Sequence, residues 1–382
     1  MYGKHIVAKS RINPILIQAE TILNEYDLCE NCLDRLFSKK LRVSLNKILG
    51  KKSLKCYICK NMFSNIQTHI NKMLEISSNF QFSTFVTGAI LKPSFIDRDD
   101  SIRSKFQLKG IDSLKTEFTR EISKKFHKVT KKKIDYQNPD VTFTINLKND
   151  SYDLQSKPIY LFGRYTKSSR DFPQKQKSCE NCDGKGCVTC NHHGIANFDS
   201  VEGKISEFLF KKFGGKQAKI TWIGGEDKKS LVLGKGRPFF VKLTNPQQRK
   251  IKQIKKINLK QLSISNLRII EKIPKEPIQF KSKILIQITA ESQVNPSLLK
   301  NLQSIKKTPL LVYDKPGKEM KKTVYESSYK KTSPNSFSLS MTVDGGLPIK
   351  RFVEGNSVKP SVSEILDMNC KCKEFDFYDV EL

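Results

Sequence analysis

The chain has 382 residues, enough for two or three domains that each bury a core. Its 69 Lys and Arg against 38 Asp and Glu give a net charge of +31, more than solubility requires, which points to a polyanionic partner rather than a membrane surface. A general adaptation to salt or heat is the plainer alternative, and the local clustering of the charge argues against it. No stretch approaches the roughly 20 apolar residues of a spanning helix, and Met1 to Arg11 carries no apolar signal core. The expectation is a soluble, cytoplasmic chain, taken as a monomer.

Residues 1–76 hold short helical patterns, such as Ile15 to Tyr26, together with a first cysteine quartet, and read as a small metal-stapled module. From Phe80 to about Lys167, the strand-like runs Phe82 to Leu91 and Val141 to Leu147 surround a helical stretch from Ile111 to Phe126. Residues 77–170 therefore read as an α+β domain. A Pro- and Lys-containing passage, Asp171 to Ser178, leads into a second quartet, an insertion at 179–193 in a final domain spanning 171–382. There Asp199 is placed as N-cap, with Glu202 three residues on, of a helix over 200–213 that carries Ile205, Leu209 and Phe213 and stops at Gly214-Gly215. Alternation predicts strands near Ala218 to Ile223, Lys229 to Leu233 and Phe239 to Leu243. Asn245-Pro246 offers an N-cap and a first-turn proline for a helix through about Ile257, and Asn295-Pro296 repeats the device before Leu298 to Ile305. There is no internal repeat and no low-complexity tract. The fold class is α+β, multidomain.

Ten cysteines in a long chain without a secretion signal read as reduced thiols rather than disulfides. Cys29-x-x-Cys32 and Cys56-x-x-Cys59 are separated by 23 residues, 33 to 55, so two knuckles can converge on one tetrahedral ion. Four thiolates suit zinc, and a site closed by four protein ligands leaves no open position for chemistry, so its role is structural. Cys179, Cys182, Cys187 and Cys190 fall within twelve positions, with Gly184 and Gly186 letting the loop fold back. They suggest a second zinc, with His192 and His193 as substitute ligands and a redox dithiol pair as the other reading. Cys370 and Cys372 alternate on a strand-like run and read as ordinary side chains.

Two basic tracts stand out. Lys124, Lys125, Lys128, Lys131, Lys132 and Lys133 place six charges in ten positions. Arg249, Lys250, Lys252, Lys255 and Lys256 lie along the helix predicted after Asn245, opposite a stripe of Ile251, Ile254 and Ile257. Each tract is a candidate RNA contact, with a solvated face as the plain alternative.

The passage from Trp222 to Phe240 carries the most suggestive chemistry. Glu226 and Asp227 stand in a Gly-rich loop after a strand, and Gly234-Lys235-Gly236-Arg237-Pro238 reads as a turn that would present Arg237 to an anion. Alone this is weak, because an Asp after a strand is commonly a turn residue. In order along the chain come Cys29-Glu-Asn-Cys-Leu-Asp-Arg-Leu-Phe37, Leu161-Phe-Gly-Arg-Tyr165, Ser169-Arg170, the cysteine loop with Gly184-Lys185-Gly186, and Ser200-Val201-Glu202. Glu226-Asp227, Leu233-Gly-Lys-Gly-Arg-Pro-Phe239, Asp344-Gly-Gly-Leu-Pro-Ile-Lys350, Glu354-Gly355 and Pro360-Ser-Val-Ser-Glu-Ile-Leu366 follow. This ordered set, spread over nearly the whole chain, resembles the archaeal tRNA pseudouridine synthase family of the tenth class, which modifies uridines 54 and 55 of the T-loop.

The resemblance implies an N-terminal zinc region and a THUMP-like domain that grip tRNA, followed by a pseudouridine synthase fold with a mixed antiparallel sheet. It implies that Asp227 is catalytic and that the reaction needs no cofactor. The target uridine flips out, the carboxylate starts cleavage of the C1′–N1 bond, and the base rejoins through C5. A carboxylate with an ordinary pKa near about 3.9 is already ionised at neutral pH. Ile349 and Lys350 match positions that line the uracil pocket in the family, and Lys350 or Arg237 would hold the carboxylate or a phosphate. Three positions depart from the family's pattern. Gly225 stands where an Arg is usual, Ile286 falls near an expected stacking Tyr, and Pro348 replaces the Tyr of the last motif; Tyr313, Tyr325 and Tyr329 are candidate stand-ins. The alternative reading is a tRNA-binding or chaperone-like protein that keeps the fold and the zinc with little chemistry. A zinc deaminase is disfavoured, since no His-x-Glu is followed by Pro-Cys-x-x-Cys.

Overall fold

The computed structural model describes residues 14–37, 55–109, 112–275, 277–315 and 318–382, and the Met1 to Arg11 opening lies outside them. The chain divides into two compact units, Met1–Lys157 and Pro158–Leu382. Among the described residues no helix is long and apolar enough to cross a membrane.

The first unit contains, in chain order, α1 (Pro14–Glu25), α2 (Glu30–Asp34), α3 (Ile66–Ser77), β1 (Thr84–Ile90), α4 (Pro93–Lys105), α5 (Leu114–Thr130), β2 (Lys133–Ile134), β3 (Val141–Asn146) and β4 (Ser151–Ser156). Its sheet has the order β2-β1-β3-β4, with β1 parallel to both neighbours and β3–β4 an antiparallel pair. Alternation along β1 and β3 buries Phe85 and Phe143, and Phe126 of α5 packs on both, ring centroids 4.9 and 5.2 Å away. The cysteine module is not a separate body. Arg35, three residues past Cys32, is fully buried and forms a two-pronged pair with Asp99 of α4 at 2.7 and 2.5 Å, while the Arg98 guanidinium donates to the Ile58 carbonyl. Among the described residues one apolar core runs from Ala19 to Leu154, joining the first cysteine quartet to the α+β layer after it.

The second unit contains β5 (Ile159–Lys167), α6 (Val201–Phe213), β6 (Gln217–Trp222), β7 (Val232–Thr244), β8 (Ile254–Leu259), β9 (Leu262–Ile270), β10 (Lys281–Ala290), α7 (Pro296–Leu299), β11 (Leu310–Lys315), β12 (Lys318–Lys322), β13 (Val324–Ser333), β14 (Ser336–Asp344), α8 (Ile349–Glu354), β15 (Val358–Lys359), α9 (Val362–Leu366) and β16 (Cys370–Glu381). The main sheet runs β13-β14-β10-β16-β7-β5-β9-β8, with β6 also on β7; β12-β11-β15 form a small second sheet. Within the main sheet β7 and β16 meet in parallel at Val232 and Phe377, and its other pairs are antiparallel. Strand β5 bonds to both β7 and β9, so it is an interior strand of this sheet. Helix α6 buries Val201, Ile205, Leu209 and Phe213 in the same apolar core as Leu161, Ile264 and Leu267. Its N-cap is Ser200, whose hydroxyl accepts the Gly203 N–H at 2.9 Å, one residue later than the expected Asp199.

Two expected elements differ. The helix predicted from Asn245 to Ile257 does not form: residues 245–253 are irregular and Ile254–Leu259 is strand β8. Ile254 pairs with Leu267 and Ile257 with Ile264, so both strands space their apolar residues by three, and Asn266, at φ 53°, interrupts the alternation of β9. An irregularity in a strand thus imitates a helical stripe. The strand predicted at Lys229–Leu233 begins only at Val232 and runs on through the one predicted at Phe239–Leu243 as a single strand, β7, with Gly234 to Pro238 within it rather than in a turn. A Cβ on Gly236 would lie 2.5 Å from the Tyr165 carbonyl oxygen, so glycine here lets β7 close on β5.

Candidate active site and metal clusters

The loop from Ile223 to Leu231 joins β6 to β7 and carries two carboxylates with opposite environments. Glu226 has no exposed side-chain surface. It accepts a 2.8 Å bond from the Tyr165 hydroxyl, which in turn accepts from Gln174, and it pairs with Lys167 at 3.3 Å and with Arg237 at 3.4 Å. Arg237 also donates to the Ile223 carbonyl at 2.7 Å and lies 4.1 Å from the Phe377 ring centroid. Its side chain is 1% exposed, so the expected presentation of Arg237 to an anion at a surface turn is corrected: it is a buried partner of Glu226.

Asp227 faces outward with 28% of its side chain exposed. Its Oδ1 accepts the Lys229 N–H at 3.0 Å, a local turn, and its Oδ2 accepts from the Lys350 ammonium at 2.7 Å. Partial burial pushes its pKa up, but the Lys350 contact and the Lys229 N–H outweigh that and hold the carboxyl below its usual range; Lys350 is correspondingly raised. Arg170 fastens the end of the loop, gripping both oxygens of Asp376 at 2.8 Å, and Asp376 also accepts the Leu231 N–H.

Beside this loop lies a cavity of about 220 Å³ whose lining includes Gly224, Gly225, Arg237, Phe280, Ser282, Ile284, Asp344, Leu347, Pro348 and Phe377. It is below the roughly 300–1,000 Å³ of most ligand pockets, a size suited to one base rather than a large cofactor. A larger cavity of about 560 Å³ is lined by Glu291, Glu354 and Cys370 and includes no residue of the loop that carries the carboxylates. Asp344 fixes the cavity's far wall by accepting from the Thr323 N–H and the Tyr325 hydroxyl, and Lys322 donates to the Gly345 carbonyl. Pro348 is the N-cap of α8, which orients Lys350; Ile349 is buried beneath it. Ile286 is fully buried between its strand partners Leu339 and Phe375 and does not line the cavity. The aromatic rings there belong to Phe280 and Phe377, neither of them a candidate in the sequence reading, which also missed Lys167 and held Tyr165 only as the end of a motif. No local spacing marks these residues.

Both quartets converge, each with its four sulfurs mutually within 4.8 Å, and none of the ten cysteines is in a disulfide. Sulfurs of Cys29 and Cys59 are 3.7 Å apart, those of Cys182 and Cys190 3.9 Å, and those of Cys187 and Cys190 3.7 Å. A tetrahedral ion with bonds of about 2.3 Å separates its ligand sulfurs by about 3.8 Å, so both groups fit a metal. N–H donors from Cys187 and Gly194 hold the Cys190 thiol down to about 6. His192 and His193 stand outside the second group, and His193 donates to the Lys216 carbonyl and stacks on Phe210.

Of the basic tracts, Lys124, Lys125 and Lys128 lie on the exposed face of α5, Lys131 caps it, Lys132 reaches over the Phe82 ring, and Lys133 opens β2. Lys250, Lys252, Lys255 and Lys256 are exposed and Arg249 is half-buried, on a loop and a strand rather than on a helix face.

Matches to known protein families place these parts in an RNA-modifying enzyme with a THUMP domain. A family model described as Pus10, C-terminal, matches residues 160–381, and one described as Pus10 THUMP domain, archaeal, matches 69–146. The chain is 52% identical over 95% of its length to a protein named tRNA pseudouridine synthase Pus10 from Nitrosopumilus maritimus (strain SCM1), covering 97% of that protein. It is 33% identical to the protein of the same name from Cenarchaeum symbiosum (strain A), over 93% of this chain and 90% of that one. The chain belongs to the Pus10 family of tRNA pseudouridine synthases.

Proposed function

We propose that the chain converts uridines 54 and 55 in the T-loop of tRNA to pseudouridine, with Asp227 as the reacting carboxylate. The observation that carries this reading is the Asp227–Lys350 pair, 2.7 Å between charged atoms, on the same two segments whose Gly225 and Pro348 line a cavity of about 220 Å³. A uridine flipped out of the loop enters that cavity, and Asp227, ionised and oriented by Lys350, starts cleavage of the C1′–N1 bond; the freed base turns, C5 bonds to C1′ and then loses its proton, and N1 takes one up. Phe280 is the aromatic face available to the base, in the role expected near Ile286. The eight clustered cysteines hold two structural zinc ions, which stiffen their loops and take no part in the chemistry. The lysines of Lys124 to Lys133 and of Arg249 to Lys256 meet tRNA phosphates, and the chain acts as a cytoplasmic monomer.

The test is an unmodified tRNA transcript incubated with the protein and mapped for pseudouridine, with Asp227→Ala alongside. The wild type is expected to modify the T-loop and the variant to bind without modifying. A wild type that binds tRNA yet makes no pseudouridine supports the binding-only alternative instead.

A further inference from the structure

Taking Asp227 as the reacting carboxylate, we propose that Lys167 is a positioning residue: a buried ammonium that fixes the backbone of the Asp227 loop and sets a positive charge beneath its carboxylate. Lys167 ends β5 and has no exposed side-chain surface. Its Nζ donates to the carbonyls of Phe172 at 3.0 Å, Asp227 at 3.3 Å and Lys228 at 3.3 Å, and pairs with Glu226 at 3.3 Å. Three carbonyls from two chain segments converge on a compact group that has three N–H donors and accepts nothing. Neutralising Glu226 does not by itself require this arrangement, because Glu226 also has the Tyr165 hydroxyl and Arg237. What Lys167 adds is a hold on the main chain of the residue whose carboxylate reacts.

The charge points the same way. Lys167 and Arg237 against Glu226 leave one positive charge in excess in the buried cluster below Asp227. When a base fills the cavity, water leaves and the Asp227 anion is desolvated further; a fixed cation that needs no reorganisation offsets that cost. Lys350 acts on the same carboxylate from outside, but at 52% exposure it is screened by solvent, and Lys167 is not.

The experiment uses the full chain, an unmodified tRNA transcript and single-turnover kinetics across pH. In Lys167→Met, Glu226 retains Tyr165 and Arg237, so the cluster becomes neutral and no lone charge is buried. The expected result is a rate lower by about tenfold or more, tRNA affinity within about twofold of wild type, and an acid limb of the rate profile moved to higher pH. Should Lys167→Met fail to fold, Lys167→Gln, which keeps a donor for the carbonyls but no charge, carries the same test. An unchanged rate and acid limb overturns the role of Lys167. So does a rate loss uniform across pH and matched by lost tRNA binding, which marks a merely structural residue. Asp227→Asn runs in parallel: if that variant stays active, it is the reading of Asp227 that fails, whatever Lys167 does.

Discussion

Adjacent glycines in the Asp227 loop should respond in opposite ways to one added methyl group. Gly224 has φ +74°, and a Cβ there would lie 2.7 Å from the Phe280 ring and 2.8 Å from the Arg237 guanidinium; at Gly225 it would meet nothing within 4 Å, and that backbone is not left-handed. Forcing alanine into the left-handed region costs about 1–2 kcal/mol. Displacing packed neighbours adds about 1–3 kcal/mol. The sum for Gly224→Ala is about 2–5 kcal/mol, and at about 2–4 °C per kcal/mol in a unit of this size the melting temperature should fall by about 4–20 °C. Arg237 is tied to the Ile223 carbonyl, so its displacement reaches the loop that carries Asp227, and a shift of about 1 Å at a reacting group costs on the order of 100-fold in rate. Gly225→Ala should stay within about 0.5 kcal/mol of wild type. Calorimetry and single-turnover pseudouridine formation on the two variants decide the matter. Equal melting temperatures and equal rates would refute the packing described for Gly224, Phe280 and Arg237.

Three further outcomes are expected. Arg35→Met takes its two-pronged partner from the buried Asp99 and leaves it Arg103 at 3.2 Å, so the first unit should lose about 1.5–3 kcal/mol and melt ahead of the second, as seen by calorimetry. Metal analysis should find two ions per chain, with Cys29→Ser and Cys179→Ser each removing one; a single ion in the wild type would reject one cluster. Because its partners hold the Asp227 carboxyl below the ordinary value, the stability from that pairing is complete above the unfolded carboxylate pKa of about 3.9 and is lost as pH falls through the lower folded value. Lys350→Met should raise that folded value and move the acid limb of the rate profile to higher pH; an unmoved limb would count against the 2.7 Å contact as the main cause.

How much was legible in the sequence depended on how far apart the interacting residues stand. Cysteine knuckles are local, and the residues that converge are those the Cys-x-x-Cys spacing marks. Helix α6 is local too: an N-cap serine, an apolar stripe and a glycine stop suffice, with an error of one residue at its start. Asp227 was found through an ordered set of motifs, not from its own surroundings, since a carboxylate in a turn has no signature that marks it as reactive.

What only the tertiary structure decided is the environment of each charge. Arg237 and Lys350 look equally available in the sequence, yet one is buried against Glu226 and the other, 123 residues from Asp227, reaches its carboxylate at 2.7 Å. Lys167 gives no sign in the sequence of being a buried cation, because its burial follows from strand β5 lying between β7 and β9. The i, i+3 isoleucines of β8 read as a helix because a helical stripe and an interrupted strand share that spacing, and the pairing with β9 selects the strand. Residue types and local spacing thus determined the cysteine clusters and the basic balance, and the resemblance carried by the ordered motifs singled out the candidate carboxylate. Burial, pairing and the direction of each pKa shift arise from contacts made across the sheet, and those exist only once the chain has folded.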